Sequence, residues 1–95
     1  MIIVRTWWRT RWRKGQATID VLKQMDKLIA GNRNSRFMTD LSGEFFTVVW
    51  EQEYKSLSDI EAAMTGVMAK PRYGKLMETL GTLVVTGGRE LYVLR

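Results

Sequence analysis

The sequence predicts an α+β domain whose strands and helices follow the order β-α-β-β-α-β. Polar and apolar side chains alternate over residues 2–12 and again over residues 45–55, which is the period of a β-strand. Between and after these segments, apolar residues recur every three or four positions, as in an amphipathic helix. A chain of 95 residues supports a single core, so residues 1–95 are predicted to form one domain.

The first strand, predicted over residues 2–12, has the most biased composition of the chain. Five cations and three tryptophans lie within residues 5–14, and their charge equals the net charge of +5 of the whole protein. Because Val, Thr and Trp favour strands, the segment is predicted to be a strand and not a solvated basic arm. One face would carry Ile3, Arg5, Trp7, Arg9 and Arg11, and the other Val4, Thr6, Trp8, Thr10 and Trp12.

The middle of the chain predicts a helix followed by a β-hairpin. The helix covers about residues 16–30 and ends at Gly31, a residue type common after a helical C-terminus. A short strand over residues 36–41 and a turn at Ser42-Gly43 then lead into the longest predicted strand, Phe45 to Lys55.

The last third of the chain predicts further helix and a final strand. Ser58 and Glu61 match a capping box, in which the serine accepts from a backbone amide and the glutamate reaches back. Pro71 should break this helix and begin another helical segment. Gly87-Gly88 is expected to end that segment, and Glu90 to Leu94 to form the last strand.

This order of elements is that of the ferredoxin-like fold, a four-stranded antiparallel sheet with helices on one face and the first and third strands in the centre. The uncovered face then either meets solvent and offers a surface to RNA, or packs against a second subunit. A short chain with an apolar share of 45%, four Trp and six Met favours the second alternative. A homodimer is the simplest such assembly.

The helix-covered face of the sheet carries a stripe of aromatic residues. Such a stripe is most often core, and the alternative is a pocket between sheet and helices that grips a flat or apolar ligand. The candidate ligand pocket consists of Trp8, Trp12, Trp50, Tyr54 and Tyr73.

The uncovered face is predicted to carry opposite charges on neighbouring strands. The candidate dimer-interface charges are Arg5, Arg9, Arg11, Glu51 and Glu53. The favoured interpretation makes them mutual partners, since opposite charges across paired strands stabilise a sheet. The alternative is an anion site or a carboxylate base, for which burial would raise the pKa of the glutamate and a neighbouring arginine would lower it.

Composition excludes several kinds of chemistry. The chain has no Cys and no His, so a disulfide, a thiolate nucleophile, a histidine base and a Cys or His metal site are all excluded, and neither metal nor cofactor is expected. RNA binding is disfavoured because the third strand lacks the required aromatic pattern and carries Glu51 and Glu53. No apolar run approaches 18 residues and the first residues are not a secretory signal, so a soluble, cytoplasmic protein without membrane contact is expected.

The sequence resembles the NIPSNAP-like group of the dimeric α/β-barrel superfamily. The likeness is carried by Thr39 to Val49 (TDLSGEFFTVV), by the following Glu51, Glu53, Ser56 and Leu57, and by Gly87 to Tyr92 (GGRELY). It implies two ferredoxin-like subunits that pack sheet to sheet into a closed barrel with the helices outside.

The superfamily includes cofactor-free quinone-forming monooxygenases, haem-degrading enzymes and muconolactone isomerases, so its fold does not specify one activity. The haem-degrading members generally use a His, which this chain lacks. Two main hypotheses follow. One is a homodimer that binds a small apolar or aromatic ligand between sheet and helices. The other is a cofactor-free monooxygenase or isomerase that uses the same cavity, with Tyr54, Trp12 or Glu53 near the substrate.

Overall fold

The computed structural model describes residues 1–95 and contains one antiparallel sheet of four strands with three helices. The elements are β1 (Ile2–Thr10), α1 (Gly15–Leu28), β2 (Arg36–Thr39), β3 (Thr47–Tyr54), α2 (Leu57–Met68), α3 (Pro71–Leu83) and β4 (Val84–Val93). The strand order is β2-β3-β1-β4, with the first and third strands central. The predicted α+β, ferredoxin-like fold is therefore confirmed.

The two strands predicted over residues 2–12 and 45–55 are shorter than predicted, mainly because the backbone turns away from the sheet at the end of the first and the start of the second. β1 ends at Thr10, and Arg13 takes a left-handed conformation with φ of 59° before α1 begins. Phe46 is also left-handed, with φ of 63°, so β3 begins at Thr47 and not at Phe45. Trp12 and Phe46 consequently lie outside the sheet, and their rings meet edge to face at 5.1 Å between centroids.

The predicted break between the second and third helices is confirmed. The predicted N-terminal cap of the second helix is corrected from Ser58 to Ser56. Pro71 is the first residue of α3, a position whose N–H would have no acceptor within the helix, so the missing N–H of proline costs nothing there. The cap of α2 is Ser56, whose hydroxyl accepts from the backbone N–H of Asp59 at 3.2 Å. Ser58 lies inside the first turn, with its hydroxyl 2.9 Å from that of Ser56.

The prediction that Gly87-Gly88 ends a helix is wrong. α3 ends at Leu83, and both glycines lie within β4, opposite Trp8 and Trp7 of β1. A β-carbon on Gly87 would stand 2.7 Å from the carbonyl oxygen of Trp7 and 2.8 Å from Cδ1 of Trp8. The glycines are therefore needed for the close approach of β1, which a helix-stop interpretation based on residue type alone cannot reveal.

The core lies between the sheet and the helices. It is built from Val21, Leu22, Met25, Ile29, Val48, Trp50, Val67, Leu76 and Leu80. The opposite face of the sheet is covered by no element of the chain, since all three helices contribute to this one core. None of the helices combines the length and apolar character needed to span a lipid bilayer.

Candidate functional site

A cavity of about 90 Å³ lies between the helix-facing side of the sheet and the helices. The sheet contributes Val4, Thr6, Trp8, Trp50, Gln52, Tyr54 and, from β4, Arg89. The helices and the residues next to them contribute Met25, Ile29, Ile60, Met64, Tyr73, Met77 and Leu80. Because 11 of these 14 residues are hydrophobic, the cavity suits an apolar group and offers few polar contacts.

The floor of the cavity follows from the alternation of the two central strands. Thr6 of β1 is paired with Trp50 of β3, and Val4 is paired with Gln52, so side chains of one parity from both strands face the helices. Trp50, Gln52 and Tyr54 are all at least nine-tenths buried. The position of this floor is therefore a direct consequence of the strand period in the sequence.

Gln52 and Tyr54 are two polar residues of the cavity lining. The hydroxyl of Tyr54 donates to Oε1 of Gln52 at 2.5 Å, and both residues are buried. Burial raises the pKa of Tyr54, although the nearby charges of Arg33 and Arg89 oppose the rise. Burial likewise raises the pKa of Tyr73, again opposed by Arg89. Both hydroxyls are therefore neutral at pH 7 and act as hydrogen-bond donors.

Trp50 has a buried donor without a protein acceptor. Its ring stacks on Phe37 at 5.6 Å between centroids, but its Nε1 is buried and makes no hydrogen bond. Buried tryptophan N–H groups normally find a partner, and leaving one unpaired costs about 1–3 kcal/mol.

The cavity opens into a shallow groove on the protein surface. This outer groove has a volume of about 580 Å³ and is lined by Met64, Met68, Ala69, Lys70, Pro71, Tyr73, Gly74, Met77 and Arg89. Met64, Tyr73, Met77 and Arg89 also line the cavity, so these four residues form the mouth between the two spaces.

Four of the five residues predicted to form a pocket lie together on this cavity, namely Trp8, Trp50, Tyr54 and Tyr73. The expectation for Trp12 is corrected: this residue lies beyond the end of β1, is 71% exposed and does not line the cavity. Its alternation with Trp8 suggested the same face, but the strand ends before reaching it.

Sequence reasoning missed three notable lining residues. Gln52 carried a usable signal, because it shares the parity of Trp50 and Tyr54. Met64 lay on the predicted apolar stripe of its helix, which did not distinguish core from cavity. Arg89 was missed because the last strand was predicted to begin at Glu90, whereas β4 begins at Val84.

The uncovered face carries the predicted charges, with Glu51 at their centre. Glu51 is 6% exposed, and its carboxylate accepts hydrogen bonds from Nε of Arg5 at 2.7 Å and from Nη2 of Arg36 at 2.8 Å. Nη1 of Arg36 also contacts Glu53 at 3.2 Å. Burial by itself raises the pKa of Glu51, but the hydrogen bonds and charges of the two arginines outweigh it and lower the pKa overall.

The other two predicted arginines do not reach these acids. Arg9 forms its ion pair with Glu44, in the loop before β3. Arg11 lies outside β1 and forms none of the ion pairs, while its backbone N–H donates to the carbonyl of Leu83 at 2.9 Å. The second partner of Glu51 is instead Arg36, which is placed by the pairing of β2 with β3.

No protein-family model and no curated protein sequence matches the chain, but solved structures do. An uncharacterised NIPSNAP domain protein from Burkholderia xenovorans matches with a TM-score of 0.84 at 15% identity, covering 100% of this chain and 95% of that chain. A NIPSNAP family protein from Agrobacterium tumefaciens matches with a TM-score of 0.85 at 17% identity, covering 99% and 85%.

A structure described as a putative antibiotic biosynthesis monooxygenase from Chloroflexus aurantiacus is also similar. Its TM-score is 0.72 at 11% identity, and the match covers 99% of this chain and 94% of that chain. At sequence identities this low, the structural matches establish a shared fold. The resemblance to NIPSNAP-like proteins predicted from the sequence is thus confirmed at the level of the fold.

Proposed function

We propose that the protein is a homodimer that binds a small apolar or aromatic ligand in the cavity between its sheet and helices. The observation that supports ligand binding is the cavity itself, which is apolar and includes the buried Gln52–Tyr54 pair in its lining. A ligand with a mainly apolar surface would contact this lining, and the hydroxyl of Tyr73 could donate a hydrogen bond to a polar group on it.

The volume of the cavity limits what enters it. At about 90 Å³ the space is smaller than ordinary pre-formed ligand sites, which measure roughly 300–1,000 Å³. It is closer to engineered apolar cavities of about 150 Å³ that admit benzene. Met25, Met64 and Met77 line it, and methionine side chains adapt readily to different shapes. The expected guest is therefore one ring or a short chain, with any further part in the outer groove.

Energetics also favour an occupied cavity. An empty space of this size costs about 2 kcal/mol at roughly 24 cal/mol per Å³. Such a cost is a substantial share of the net stability of a small domain, which is about 5–15 kcal/mol. A ligand that fills the space offsets that cost and stabilises the fold by an amount that grows with the logarithm of its concentration divided by its Kd.

Calorimetric titration with 2-naphthalenemethanol, of which one ring enters the cavity and the rest lies in the outer groove, tests this function. The neutral probe should bind to the native protein and raise its melting temperature. Thr6→Phe places a ring in the cavity and should abolish binding. Thr65→Phe introduces the same ring on the exposed side of α2 and should leave binding unchanged. Equal binding by all three proteins would place the probe elsewhere and contradict the proposal.

The proposed dimer joins two copies through the uncovered face of the sheet. This face carries Ile3, Trp7, Met38, Val49 and Tyr92 around the paired charges of Glu51. Met38 and Tyr92 are exposed, and exposed apolar side chains among paired charges are typical of protein interfaces. The same face on a second copy offers matching apolar contacts in an isologous arrangement.

Sedimentation velocity tests the dimer. The native protein should sediment at twice its monomer mass of 11.0 kDa. Trp7→Glu places a charge in the middle of the face and should give a folded monomer by circular dichroism. Trp12→Glu changes an exposed tryptophan off the sheet and should remain dimeric. A monomeric native protein at micromolar concentration would rule out this arrangement.

A second candidate function is cofactor-free oxygenation or isomerisation in the same cavity. It is favoured by the fold shared with the putative monooxygenase. Of the three residues expected near a substrate, Tyr54 lines the cavity, whereas Trp12 lies beyond β1 and Glu53 pairs with Arg36 on the opposite face. Because its one O–H donates to Gln52 and burial raises its pKa, Tyr54 would orient a substrate by accepting a hydrogen bond and would not remove a proton.

Oxygen uptake distinguishes this candidate from simple binding. An enzyme should consume oxygen in the presence of an electron-rich dihydroxynaphthalene faster than buffer does, and Tyr54→Phe should reduce the rate. Uptake equal to that of buffer would argue against oxygenation and leave ligand binding as the function.

A further inference from the structure

The mouth of the cavity carries an unpaired positive charge. Arg89 lies on β4, is exposed to solvent and lines both the cavity and the outer groove. It takes part in none of the five ion pairs of the structure. An arginine in this position is available to an anion from outside.

The charge of the outer groove is positive throughout. Its charged lining residues are Lys70 and Arg89, and no acid lines it. Nζ of Lys70 donates to the carbonyl of Leu28 at 2.5 Å, so this cation already has an acceptor. The side chain of Arg89 makes no hydrogen bond within the protein, and Arg89, unlike Lys70, also lines the cavity. With two cations and no acid, the groove favours negative charge on its occupant.

The charge of Arg89 also acts inside the cavity. It opposes the rise in pKa that burial causes at both Tyr54 and Tyr73. Its field therefore extends from the mouth to the two hydroxyls. Tyr73 lines cavity and groove together with Arg89, so its neutral hydroxyl is a second donor at the same opening.

The two spaces differ in what they accept. The cavity, at about 90 Å³, is apolar and takes a ring or short chain. The outer groove, at about 580 Å³, reaches the range of ordinary ligand sites. Met64 and Met77 lie between them and provide flexible apolar walls. A ligand that uses both spaces has an apolar end inside and a polar end at the mouth.

We propose that the ligand is an amphipathic carboxylate whose apolar body enters the cavity past Met64 and Met77 and whose carboxylate binds Arg89 and the hydroxyl of Tyr73. This inference rests on the proposed function, because it specifies the ligand class of the same cavity. Guanidinium and carboxylate form paired, charge-assisted hydrogen bonds, which are about twice as strong as neutral ones. The carboxylate accordingly fixes the direction in which the ligand enters.

Calorimetric titration with 2-naphthoate and the neutral 2-naphthalenemethanol tests the proposal, because the two probes share the naphthalene ring system and differ in charge. The native protein should bind 2-naphthoate at least about tenfold more tightly, since a hydrogen bond to a charged group contributes roughly 1.5–3 kcal/mol and 1.4 kcal/mol corresponds to a factor of ten. Added salt should weaken 2-naphthoate binding and leave the alcohol unaffected.

Three variants locate the effect. Arg89→Gln should weaken 2-naphthoate about tenfold and change the affinity for the alcohol less than about twofold. Arg89→Lys keeps the charge and should lie between the native protein and Arg89→Gln, because lysine lacks the planar fork. Lys27→Gln removes one charge from an exposed position of α1 away from both spaces and should bind both probes like the native protein.

The outcomes separate this proposal from the proposed function. If both probes bind with equal affinity, or if Arg89→Gln binds 2-naphthoate like the native protein, the carboxylate proposal is overturned while ligand binding in the cavity stands. If neither probe binds to the native protein, both proposals are overturned.

Discussion

The indole ring of Trp7 lies directly against Gly88 on the neighbouring strand. A β-carbon on this glycine would come within 2.9 Å of Nε1 of the ring, closer than real β-carbons approach. On the other side of the sheet, the ring of Trp8 lies against Gly87, where a β-carbon would come within 2.8 Å of Cδ1 of the ring. Two consecutive tryptophans on β1 are therefore accommodated by two consecutive glycines on β4, one pair on each face of the sheet.

This relationship predicts that Gly87→Ala destabilises the protein more than Gly88→Ala. At Gly87 the new methyl group meets the backbone carbonyl of Trp7, which cannot rotate away, whereas at Gly88 it meets a side chain that can move. Overpacking of this kind costs about 1–3 kcal/mol, and Gly87→Ala should lie at the upper end. Urea denaturation measures the difference.

Gly66→Ala is the matched control for both variants. Gly66 lies within α2, and a β-carbon there meets no atom within 4 Å. Alanine in a helix interior is more stable than glycine by about 0.5–1 kcal/mol, so this variant should gain stability. Equal losses at residues 66 and 87 would show that the tryptophan contacts are not the cause.

The strand period explains which parts of the site could be predicted. Trp8, Trp50 and Tyr54 were assigned to one face by alternation alone, and all three line the cavity. Trp12 obeys the same alternation, but the left-handed Arg13 marks a chain reversal that the pattern does not contain. A periodic signal therefore predicts the face of a residue only while the strand continues.

Long-range contacts explain what remained hidden. Gly87-Gly88 has the composition of a helix stop or a turn, and only the presence of two indole rings on β1 reveals its packing role. Arg36 lies far from Glu51 in the chain and becomes its partner through the register of β2 with β3. Such pairings depend on strand register, which short sequence windows leave undetermined.

Glu51→Gln should destabilise the protein at pH 7. The change leaves Arg5 and Arg36 without their shared counter-charge, and removing one partner of a fully buried ion pair costs about 3–5 kcal/mol. In a single copy of the chain both arginine side chains are almost half exposed, at 44% and 45%, so water compensates part of the loss and about 1–2 kcal/mol is expected for the monomer. Glu44→Gln, which affects an exposed pair with Arg9, should cost less than about 0.5 kcal/mol.

The contribution of Glu51 should disappear in acid. Because its pKa in the folded protein is lowered below the ordinary value of 4.5, folding favours the ionised form. The stabilisation is complete above the ordinary pKa and is lost as the pH falls through the lower, folded value. The gap in unfolding free energy between the native protein and Glu51→Gln should therefore narrow below pH 4.5, as measured by urea denaturation at several pH values. A gap that is constant from pH 7 to pH 3 would contradict this linkage.

The corrected helix cap predicts unequal effects at two nearby serines. Ser56 accepts from the backbone of Asp59, so Ser56→Ala should cost about 1 kcal/mol of unfolding free energy. Ser58 is exposed in the first turn and contacts only the Ser56 hydroxyl, so Ser58→Ala should cost less than about 0.5 kcal/mol. Thermal denaturation of both variants decides between the observed cap and the capping box predicted at Ser58. A larger loss of stability in Ser58→Ala than in Ser56→Ala would instead support the capping box at Ser58.

Replacing Arg33 should cause the largest loss of unfolding free energy of any single substitution outside the core. Its guanidinium is buried after α1 and donates to the carbonyl oxygens of Ile29, Ala30, Gly31 and Asp26, and to Oδ1 of Asp26 at 2.6 Å. Residues at the end of a helix have carbonyls without helical partners, and this one side chain satisfies several of them.

Arg33→Met keeps a similar length but removes every side-chain donor, so it leaves these carbonyls without their donor and the Asp26 carboxylate without its counter-charge, with only the Ser35 hydroxyl still donating to it. The expected loss is about 3–5 kcal/mol, by analogy with breaking a buried charge pair. Arg72→Met is the control, because Arg72 is exposed and donates only to the side chain of Gln24. Urea denaturation should show a change below about 0.5 kcal/mol for that variant. Since the carbonyl of Arg33 also accepts from the N–H of Glu53 at 2.8 Å, hydrogen exchange at Glu53 should accelerate in Arg33→Met and remain slow in Arg72→Met.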